Sequence, residues 1–213
     1  KCYKIKGEKL CTIYHPLIEM NDIENAGKII HRFFNGENKV LLAVGRLVPE
    51  KDYYNLIDAF EKVREKIKTK LIILGDGPLK EDITNYINKK NLNADIDLYG
   101  FTDNVYGFMK ASDALVLSSK QEAFGNVLIE ALACGIPVVT TECKSGGQRE
   151  IMGHNNPFLY GAICPCGQPE ILANSILKVL DNSYSNNVLK KRVQVFTIDY
   201  STKKYISVIK GIM

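Results

Sequence analysis

Two glutamates frame the most specific motif in the chain. Glu122 and Glu130 are separated by seven residues within the segment 118–130. This segment is predicted to pass from a strand end through a loop into a helix, with Glu122 in the loop and Glu130 just inside the helix. The free N–H groups near residues 125–127 would then offer an anion site between two carboxylates. The alternative is that Glu130 only complements the helix dipole and Glu122 is a solvated loop residue.

A second loop places two cations beside a glycine. Gly45, Arg46 and Lys51 follow directly after the apolar run Val40 to Val44. Glycine lets the backbone approach a ligand closely, and two cations in one loop are suited to a diphosphate. The alternative is an ordinary turn that carries two solvated cations.

Two further loops with glycines also follow apolar runs. Gly75-Asp76-Gly77 resembles the start of a dinucleotide-binding fingerprint. Lys80 occupies the position of the third glycine, so this loop does not predict an NAD site or an NAD-dependent oxidoreductase. The segment 100–105 follows another predicted strand, and its exposed backbone groups could receive the edge of a nucleobase.

Candidate metal ligands are present, but their positions do not favour a metal site. Asp95 and Asp97 form an Asp-x-Asp pattern at the start of a predicted strand, whereas ligands of parallel sheets bind beyond the carboxyl ends. Cys164 and Cys166 lack the spacing of a zinc knuckle and a histidine at a ligand-like interval. All the cysteines are interpreted as reduced, because a chain of this size does not need disulfides. They are Cys2, Cys11, Cys134, Cys143, Cys164 and Cys166.

The loops are positioned by an alternation of short apolar runs with longer amphipathic stretches, which is typical of strand and helix units in a parallel sheet. Strands are predicted at Leu10 to Tyr14, Val40 to Val44, Leu71 to Leu74, Ile96 to Tyr99, Ala114 to Ser118 and Pro137 to Thr140, with a weaker run at Ala162 to Cys164. Helices are predicted at Leu56 to Ile67, Leu79 to Ile87 and Asn126 to Cys134, and throughout the chain after about Glu170. Asn126 is a candidate cap, and the tail helices are expected to cover the sheet.

Composition excludes several classes of protein. The chain has 213 residues, of which 46% are hydrophobic, enough for a real core. A net charge of +4 is too mild and too dispersed to indicate nucleic-acid binding, although it suits a phosphorylated ligand. No apolar run reaches the roughly 18 to 20 residues of a membrane-spanning helix, and the start of the chain does not resemble a signal peptide. We therefore expect a cytoplasmic location.

Taken in order, the motifs resemble the C-terminal, donor-binding domain of the family 4 (group 1) retaining glycosyltransferases, in which two Rossmann-like domains form the GT-B fold. The resemblance runs from the Thr12 to Pro16 segment, through the loops described above, to the segment 145–151. It implies an α/β fold, with a Rossmann-like parallel sheet flanked by helices as one half of a GT-B fold, and a helical C-terminal tail. Residues 1–16 would enter from a missing N-terminal acceptor domain, 17–180 would bind the nucleotide sugar, and 181–213 would pack on this domain or return to the missing half.

The resemblance also implies roles for the site residues. Arg46 and Lys51 would neutralise the donor diphosphate and make a metal ion unnecessary. Glu130 would accept hydrogen bonds from ribose hydroxyls, and Glu122 would hold hydroxyls of the transferred sugar. Phe101 and Val105 would border the base, and the backbone of Phe124 and Gly125 would hold the sugar. The candidate catalytic residues are Glu122, Arg46 and Lys51, and the candidate donor-binding residues are Gly45, Gly75, Gly77, Phe101, Val105, Phe124, Gly125, Asn126, Val127 and Glu130.

Two positions depart from the family pattern. His15 stands where the family usually has asparagine before proline, and Asp52 follows Lys51 where glycine is common. Neither change touches the residues expected to bind the diphosphate.

The implied activity is the transfer of a hexose or N-acetylhexosamine from a nucleotide-diphosphate sugar, such as a UDP-sugar, to a glycan or lipid-linked acceptor. The acceptor would be bound through the N-terminal domain, and the resemblance allows peripheral association of the full-length enzyme with the inner face of the membrane. The alternative function is a non-catalytic module that binds a nucleotide sugar. The isolated chain is expected to transfer no sugar by itself.

Overall fold

Six strands form one parallel sheet in the computed structural model, which describes residues 11–211. The strands are β1 Lys39–Val44, β2 Thr69–Leu74, β3 Ile96–Gly100, β4 Ala114–Leu117, β5 Val138–Glu142 and β6 Gly161–Pro165. Their spatial order is β3-β2-β1-β4-β5-β6, and every pair is parallel. All the carboxyl ends therefore lie at one edge, and β1 and β4 are neighbours at the point where the strand order reverses.

The strands are continuous apolar runs because both faces of the sheet are covered. In β1, Leu41 and Ala43 join one core cluster, whereas Leu42 joins the other. This alternation follows from the two-residue period of a strand, and burial on both faces is what parallel sheets with helices on each side require.

Helices cover the two faces. They are α1 Met20–Glu24, α2 Tyr53–Arg64, α3 Lys80–Lys89, α4 Val105–Ala111, α5 Asn126–Ala133, α6 Gly147–Met152, α7 Pro169–Asp181, α8 Asn186–Val193 and α9 Ile198–Ile209, with short 3₁₀ turns at Pro49–Lys51, Pro157–Leu159 and Gln194–Phe196. Side chains of α2, α3 and α7 form the cluster on one face, and those of α1, α4, α5, α6 and α8 join the other. The expected α/β architecture is confirmed. No helix within residues 11–211 is long and apolar enough to cross a membrane.

The tail is helical as predicted, but its last helix does not cover the sheet. Leu189 and Val193 of α8 are buried in the core, whereas Ser201 is the buried residue of α9. The α9 helix instead follows the beginning of the described chain, where the Ser201 hydroxyl donates to the Tyr14 carbonyl at 2.9 Å. Several apolar side chains of α9 remain exposed, including Tyr205 and Ile209. Residues 212 and 213 of the predicted tail lie outside the described residues.

The strand predicted at Leu10 to Tyr14 is wrong for residues 11–14, which adopt no regular structure, and Leu10 lies outside the described residues. The edges of the sheet are formed by β3 and β6, so this apolar run does not join it. It packs instead by its side chains: the Tyr14 ring lies 4.6 Å from the ring of Phe196, centroid to centroid. Apolar character alone did not distinguish a strand from a packed loop here.

The prediction that Asn126 caps α5 is also wrong. The cap residue is Gly125, which has the left-handed φ of 99°, and Asn126 is the first helical residue. A glycine has no side chain that could accept the N–H groups of the first helical turn, so these groups remain available to another acceptor. The left-handed end predicted at Gly135 is confirmed, with a φ of 84°.

Two glycines allow the loops after β1 and β2 to touch. Gly75 has a φ of 142°, and a Cβ atom added to it would lie 2.0 Å from the carbonyl oxygen of Gly45. A Cβ on Gly77 would lie 2.6 Å from the carbonyl oxygen of Leu47. The backbone of residues 45–47 therefore lies directly against these two glycines, and their lack of a side chain determines where that segment can lie.

We predict that Gly75→Ala destabilises the chain by more than about 3 kcal/mol, because a backbone atom blocks the new methyl group and the left-handed φ adds strain. Gly36→Ala is the control: Gly36 also has a positive φ, of 81°, but no atom lies within 4 Å of the added Cβ. The control should lose only about 1 to 2 kcal/mol. Urea unfolding of both variants measures the difference, and equal losses would contradict a tight contact between the loops.

Candidate functional site

The loops that follow β1 and β4 are joined by direct hydrogen bonds. The Ser118 hydroxyl donates to the carbonyl of Lys51 at 2.8 Å, and the backbone N–H of Lys120 donates to the carbonyl of Glu50 at 2.8 Å. The Lys120 ammonium also lies 2.9 Å from a carboxylate oxygen of Asp52. These contacts fix the two loops against each other at the point where the strand order reverses, which is where open α/β sheets bind ligands.

Lys51 and Glu122 form an ion pair across these loops. Their side chains are only 21% and 15% exposed, so the pair is shielded from solvent on most sides. The Ser119 hydroxyl lies 3.4 Å from the same Glu122 oxygen. Arg46 is exposed beside them, and these three residues, together with the exposed Glu50, line a cleft of about 620 Å³. The structure thus brings together the three residues predicted from the sequence to be catalytic.

Tyr53 supports this cleft, although the sequence analysis did not single it out. Its side chain is buried, and its hydroxyl donates to the carbonyl of Gly45 at 2.9 Å. Burial and the nearby Glu122 carboxylate both raise the pKa of the Tyr53 phenol, so it stays protonated and remains a donor. The available signal for Tyr53 in the sequence was an aromatic residue two positions after Lys51. Its hydrogen-bond partner, the carbonyl of Gly45, lies earlier in the same loop, so the pattern alone did not reveal the contact.

The departure from the family pattern at Asp52 has a structural explanation. Asp52 has the left-handed φ of 49° and ψ of 52°. Glycine adopts this conformation without strain, and aspartate is one of the few other residues that tolerate it. The ion pair with Lys120 compensates part of the cost. The other Asp52 carboxylate oxygen is buried without a hydrogen-bond partner among residues 11–211.

Glu130 lies in different surroundings from Glu122. Burial raises the pKa of the Glu130 carboxyl above its ordinary value. The pKa of Tyr106 in α4 and that of Cys134 are each raised to about 12, first by burial and then by the nearby Glu130 carboxylate. Glu130, a residue of α5, is therefore near Tyr106 of α4, and the 620 Å³ cleft is lined by other described residues. The two glutamates of the motif therefore have different surroundings, and only Glu122 lines the cleft.

The residues predicted to border a base lie at the carboxyl end of β3 and the start of α4. Phe101 is 74% exposed, and Val105 is half-buried at the first position of α4. The Asn104 side chain caps this helix by accepting from the N–H of Gly107 at 3.1 Å. Val105 and Tyr106 are consecutive in α4, so the tyrosine near Glu130 and a residue predicted to border the base share one helix.

The segment around Phe124 is supported by packing contacts with other parts of the chain. Its ring packs 6.3 Å from that of Tyr14 and 5.9 Å from that of Phe196, centroid to centroid. A Cβ on Gly147 would lie 2.5 Å from the Phe124 Cα, so only glycine permits this close approach. The Tyr14 hydroxyl in turn donates to the carboxylate of Glu150. These contacts explain why glycine and glutamate occur in the 145–151 segment, and they position the backbone at Gly125, Asn126 and Val127.

The Asp-x-Asp pattern lies where the sequence predicted, at the amino end of β3 and away from the cleft. The Asp95 carboxylate pairs with Arg64 and with Lys70, and an Asp97 oxygen lies 2.8 Å from His31 Nε2. Asp95 is thus neutralised by two cations, and Asp97 has a hydrogen-bond partner within the fold. Among residues 11–211 no group of three or more histidine, cysteine, aspartate or glutamate side chains is arranged to hold a metal ion.

A larger cavity, of about 810 Å³, lies at the opposite edge of the sheet. Its lining includes Lys39 at the start of β1 and Asp113 just before β4, which form an ion pair at 2.9 Å. This edge holds the amino ends of the strands, and ligands of open parallel sheets bind at the other edge. The smaller cleft with Arg46, Lys51 and Glu122 is therefore the candidate site.

Comparison with known proteins identifies the family. Residues 28–195 match the family model of the glycosyl transferases group 1. An uncharacterised glycosyltransferase of Methanocaldococcus jannaschii, MJ1059, is 44% identical over 114 residues, which cover 53% of this chain and 28% of its own length. The N-acetylgalactosamine-N,N'-diacetylbacillosaminyl-diphospho-undecaprenol 4-alpha-N-acetylgalactosaminyltransferase of Campylobacter jejuni is 38% identical over 145 residues, 68% of this chain and 38% of its own length. The chain thus spans less than half of either relative.

Solved structures show the same fold. HepE of Anabaena, solved in complex with UDP and glucose, has a TM-score of 0.70 at 24% identity, covering 82% of this chain and 49% of that one. The lipopolysaccharide outer core galactosyltransferase WaaB in its apo form has a TM-score of 0.76 at 22% identity, covering 98% and 57% respectively. With this fold, a six-stranded Rossmann-like sheet as in one half of a GT-B enzyme, and with most of its length matched by the family model, the chain belongs to the group 1 glycosyltransferases.

Proposed function

We propose that this chain is the donor-binding half of a retaining glycosyltransferase that transfers a hexose or N-acetylhexosamine from a nucleotide-diphosphate sugar to a glycan or lipid-linked acceptor. The observation that carries the proposal is the convergence of Arg46, Lys51 and Glu122 in one cleft where the β1 and β4 loops meet. Two cations and a carboxylate there match a ligand with an anionic centre and hydroxyl groups on one side.

The diphosphate would lie between the cations and the beginning of α5. Arg46 is exposed and can offer a planar pair of donors, and Lys51 adds a point charge. The α5 helix begins after Gly125, which leaves its first N–H groups free of a side-chain cap. Helix N-termini favour anions because these groups and the helix dipole both point at the ligand. The same charges would stabilise the nucleotide as it departs.

The Lys51–Glu122 ion pair would be exchanged for ligand contacts. In the free chain each partner neutralises the other. A bound donor would give Lys51 a phosphate oxygen and Glu122 a sugar hydroxyl, so that both side chains are already oriented before the ligand arrives. The backbone of Phe124 and Gly125, held from behind by Gly147, would complete the sugar end.

The nucleoside would occupy the other end. Glu130 would accept hydrogen bonds from the ribose hydroxyls, beside Tyr106, and Phe101 and Val105 would border the base. The proposal is supported by the solved HepE complexes with UDP, with UDP and glucose, and with UDP-glucose. We propose a UDP-sugar as the donor, without a metal ion, because Arg46, Lys51 and the α5 terminus supply positive charge.

The acceptor would be bound by a second domain. The chain matches between 28% and 50% of the length of three curated relatives, which supports a larger enzyme. The exposed apolar side chains of α9, such as Tyr205 and Ile209, would face that domain. Without it the anomeric carbon would face solvent and transfer would be lost, because a positioned acceptor in a dry cleft supplies much of the rate. We place the enzyme in the cytoplasm, peripherally bound at the membrane face. A non-catalytic binding module is the alternative.

Removal of a cation tests the diphosphate assignment. Arg46→Ala should weaken binding of UDP by about 1 to 3 kcal/mol in calorimetry, in the presence of EDTA, because a charge-assisted contact is lost. Lys51→Ala should lose a similar amount, but its melting temperature must also be measured because it leaves Glu122 without its partner. Lys66→Ala removes an exposed cation that does not line the cleft and should not weaken binding. Unchanged affinity in both cation variants would exclude this cleft, and a strict divalent-ion requirement would contradict metal independence.

Substitution of the two glutamates should have different effects on ligand binding. Glu130→Gln keeps the size of the side chain but loses the charge that strengthens a ribose hydrogen bond. It should therefore weaken the binding of UDP and of the UDP-sugar alike. Glu122→Gln should bind free UDP as well as the parent and should weaken only the sugar conjugate. Calorimetry with both ligands decides the matter. An equal loss of UDP affinity in the two variants would show that the ribose and sugar ends are wrongly assigned.

Glu130 should also make stability depend on pH. Burial raises its pKa, so the folded chain binds this proton more tightly than the unfolded chain does. The resulting stability is present below the unfolded pKa and is lost as pH rises through the folded pKa. Glu130→Gln should therefore melt up to about 2 to 4 °C above the parent near pH 7.5, and match it near pH 4. Glu37→Gln, at an exposed position, should match the parent at both pH values; the same result for Glu130→Gln would contradict its burial.

A further inference from the structure

Two cysteines meet beside the candidate site. Cys143 follows the end of β5 and Cys166 follows the end of β6. The register of these parallel strands pairs Thr141 with Cys164 and, one step further, the residues just before Cys143 and Cys166. Neighbouring strands lie about 4.7 to 4.9 Å apart, which falls within the Cα separations that a disulfide bridges.

The two thiols point at the same atom. The Sγ of Cys143 lies 3.2 Å from the carbonyl oxygen of Ser119, and the Sγ of Cys166 lies 3.4 Å from it and 3.2 Å from the carbonyl oxygen of Glu142. Cys143 is buried, whereas Cys166 is only partly buried and can be reached from solvent. One accessible thiol next to one buried thiol is the arrangement in which the first reacts with an external oxidant and the second resolves the product.

Ser119 connects the thiols to the donor site. Its hydroxyl lies 3.4 Å from a Glu122 oxygen, and its carbonyl also accepts from the Thr141 hydroxyl at 2.6 Å. Ser119 is fully buried, so the donors to its carbonyl hold the chain in place just before Glu122. A change in the bonding of the two sulfur atoms therefore acts on the loop that carries Glu122.

We propose that Cys143 and Cys166 form a reversible disulfide with a small-molecule disulfide as oxidant, and that this bond weakens donor binding through Ser119. The Cys166 thiolate attacks the oxidant R–S–S–R, forms a mixed disulfide and releases one RS⁻, which takes up the Cys166 proton. The Cys143 thiolate then attacks the Cys166 sulfur, closes the Cys143–Cys166 bond and releases the second RSH. The oxidant gains two electrons and two protons, and the pair loses them. A dithiol reverses both steps.

The surroundings of Cys143 set the pace of the second step. Burial raises the pKa of the Cys143 thiol to about 11, and the neighbouring Cys166 and Glu122 add to the effect. Only a small fraction of Cys143 is thiolate near neutral pH, so the second step is slow and brief oxidation leaves the mixed disulfide at Cys166.

The disulfide removes two hydrogen-bond donors. Neither sulfur carries a proton after oxidation, so the Ser119 carbonyl loses the Cys143 thiol as a donor and keeps the Thr141 hydroxyl. The Cys166 thiol, which lies between the carbonyls of Ser119 and Glu142, loses its proton as well. The effect on donor binding rests on the proposed function, whereas formation of the bond does not.

The first measurement is chemical. The chain, with Cys2→Ser and Cys11→Ser to prevent links between molecules, is treated with oxidised glutathione, alkylated and digested with trypsin. We expect peptides 121–144 and 150–178 to be joined, with fragment ions that place the link at Cys143 and Cys166, and reduction by dithiothreitol to separate them. Cys166→Ser should abolish the link and Cys164→Ala should preserve it. Persisting free Cys143 and Cys166, or a link through Cys134 or Cys164, would overturn the proposal.

The second measurement is binding of UDP and of UDP-glucose by calorimetry to the reduced and oxidised chains. Oxidation should weaken the binding of UDP-glucose about two- to tenfold, the range for one net hydrogen bond. Treatment with dithiothreitol should restore the affinity. The Cys166→Ser variant should bind equally well before and after oxidation. Equal affinity in a chain shown to be cross-linked would overturn the regulatory proposal. Failure of the reduced chain to bind either ligand would instead reject the proposed function, while the peptide map would still decide the disulfide.

Discussion

The ion pair between Lys51 and Glu122 joins the loops that follow β1 and β4, and the proposed contacts to the diphosphate and the sugar depend on these loops being held together. Parallel strands bring their carboxyl ends to one edge, but they do not by themselves fix the loops beyond that edge. Here the fixing is done by the hydrogen bonds of Ser118 and Lys120 to the backbone of the β1 loop. The charged pair then closes the gap between the loops at the side chains.

Such a pair is not the most stable way to join two loops. Desolvation of both charges offsets much of their attraction, and a well-packed apolar pair would stabilise the fold as well or better. The left-handed Asp52, with a buried carboxylate oxygen that lacks a partner among the described residues, adds a further cost in the same loop. Unfavourable contributions to folding stability at one edge of the sheet are expected where side chains must exchange their partners for a ligand.

The sequence predicted what depends on local pattern and missed what depends on distant contacts. Six of the apolar runs became strands because burial on both faces leaves a continuous apolar signature, as in β1 and β2. The run ending at Tyr14 has the same signature, but Tyr14 packs against Phe196, about 180 residues later, so no local rule could separate the cases. Asn126 looked like a cap because its side chain is suitable, yet Gly125 takes that position.

The sequence also did not identify three residues that support the site, Tyr53, Ser119 and Gly147. Each acts through a partner that only the fold reveals.

The two glutamates of the motif show how one residue type takes two roles from its surroundings. Glu122 has a cation within ion-pair distance, whereas no cationic side chain among residues 11–211 pairs with Glu130, whose neighbours Tyr106 and Cys134 are neutral near pH 7. Ionised Glu130 is therefore under-solvated in the free chain, as its raised pKa indicates. A ligand that brings hydroxyl donors to this carboxylate supplies the hydrogen bonds that burial removed, and the free energy lost on folding is recovered on binding. Glu122 gains no such advantage, because a ligand must first replace Lys51. The unequal surroundings thus support the proposal that Glu130 provides nucleoside affinity and that Glu122 selects the group attached to the nucleotide.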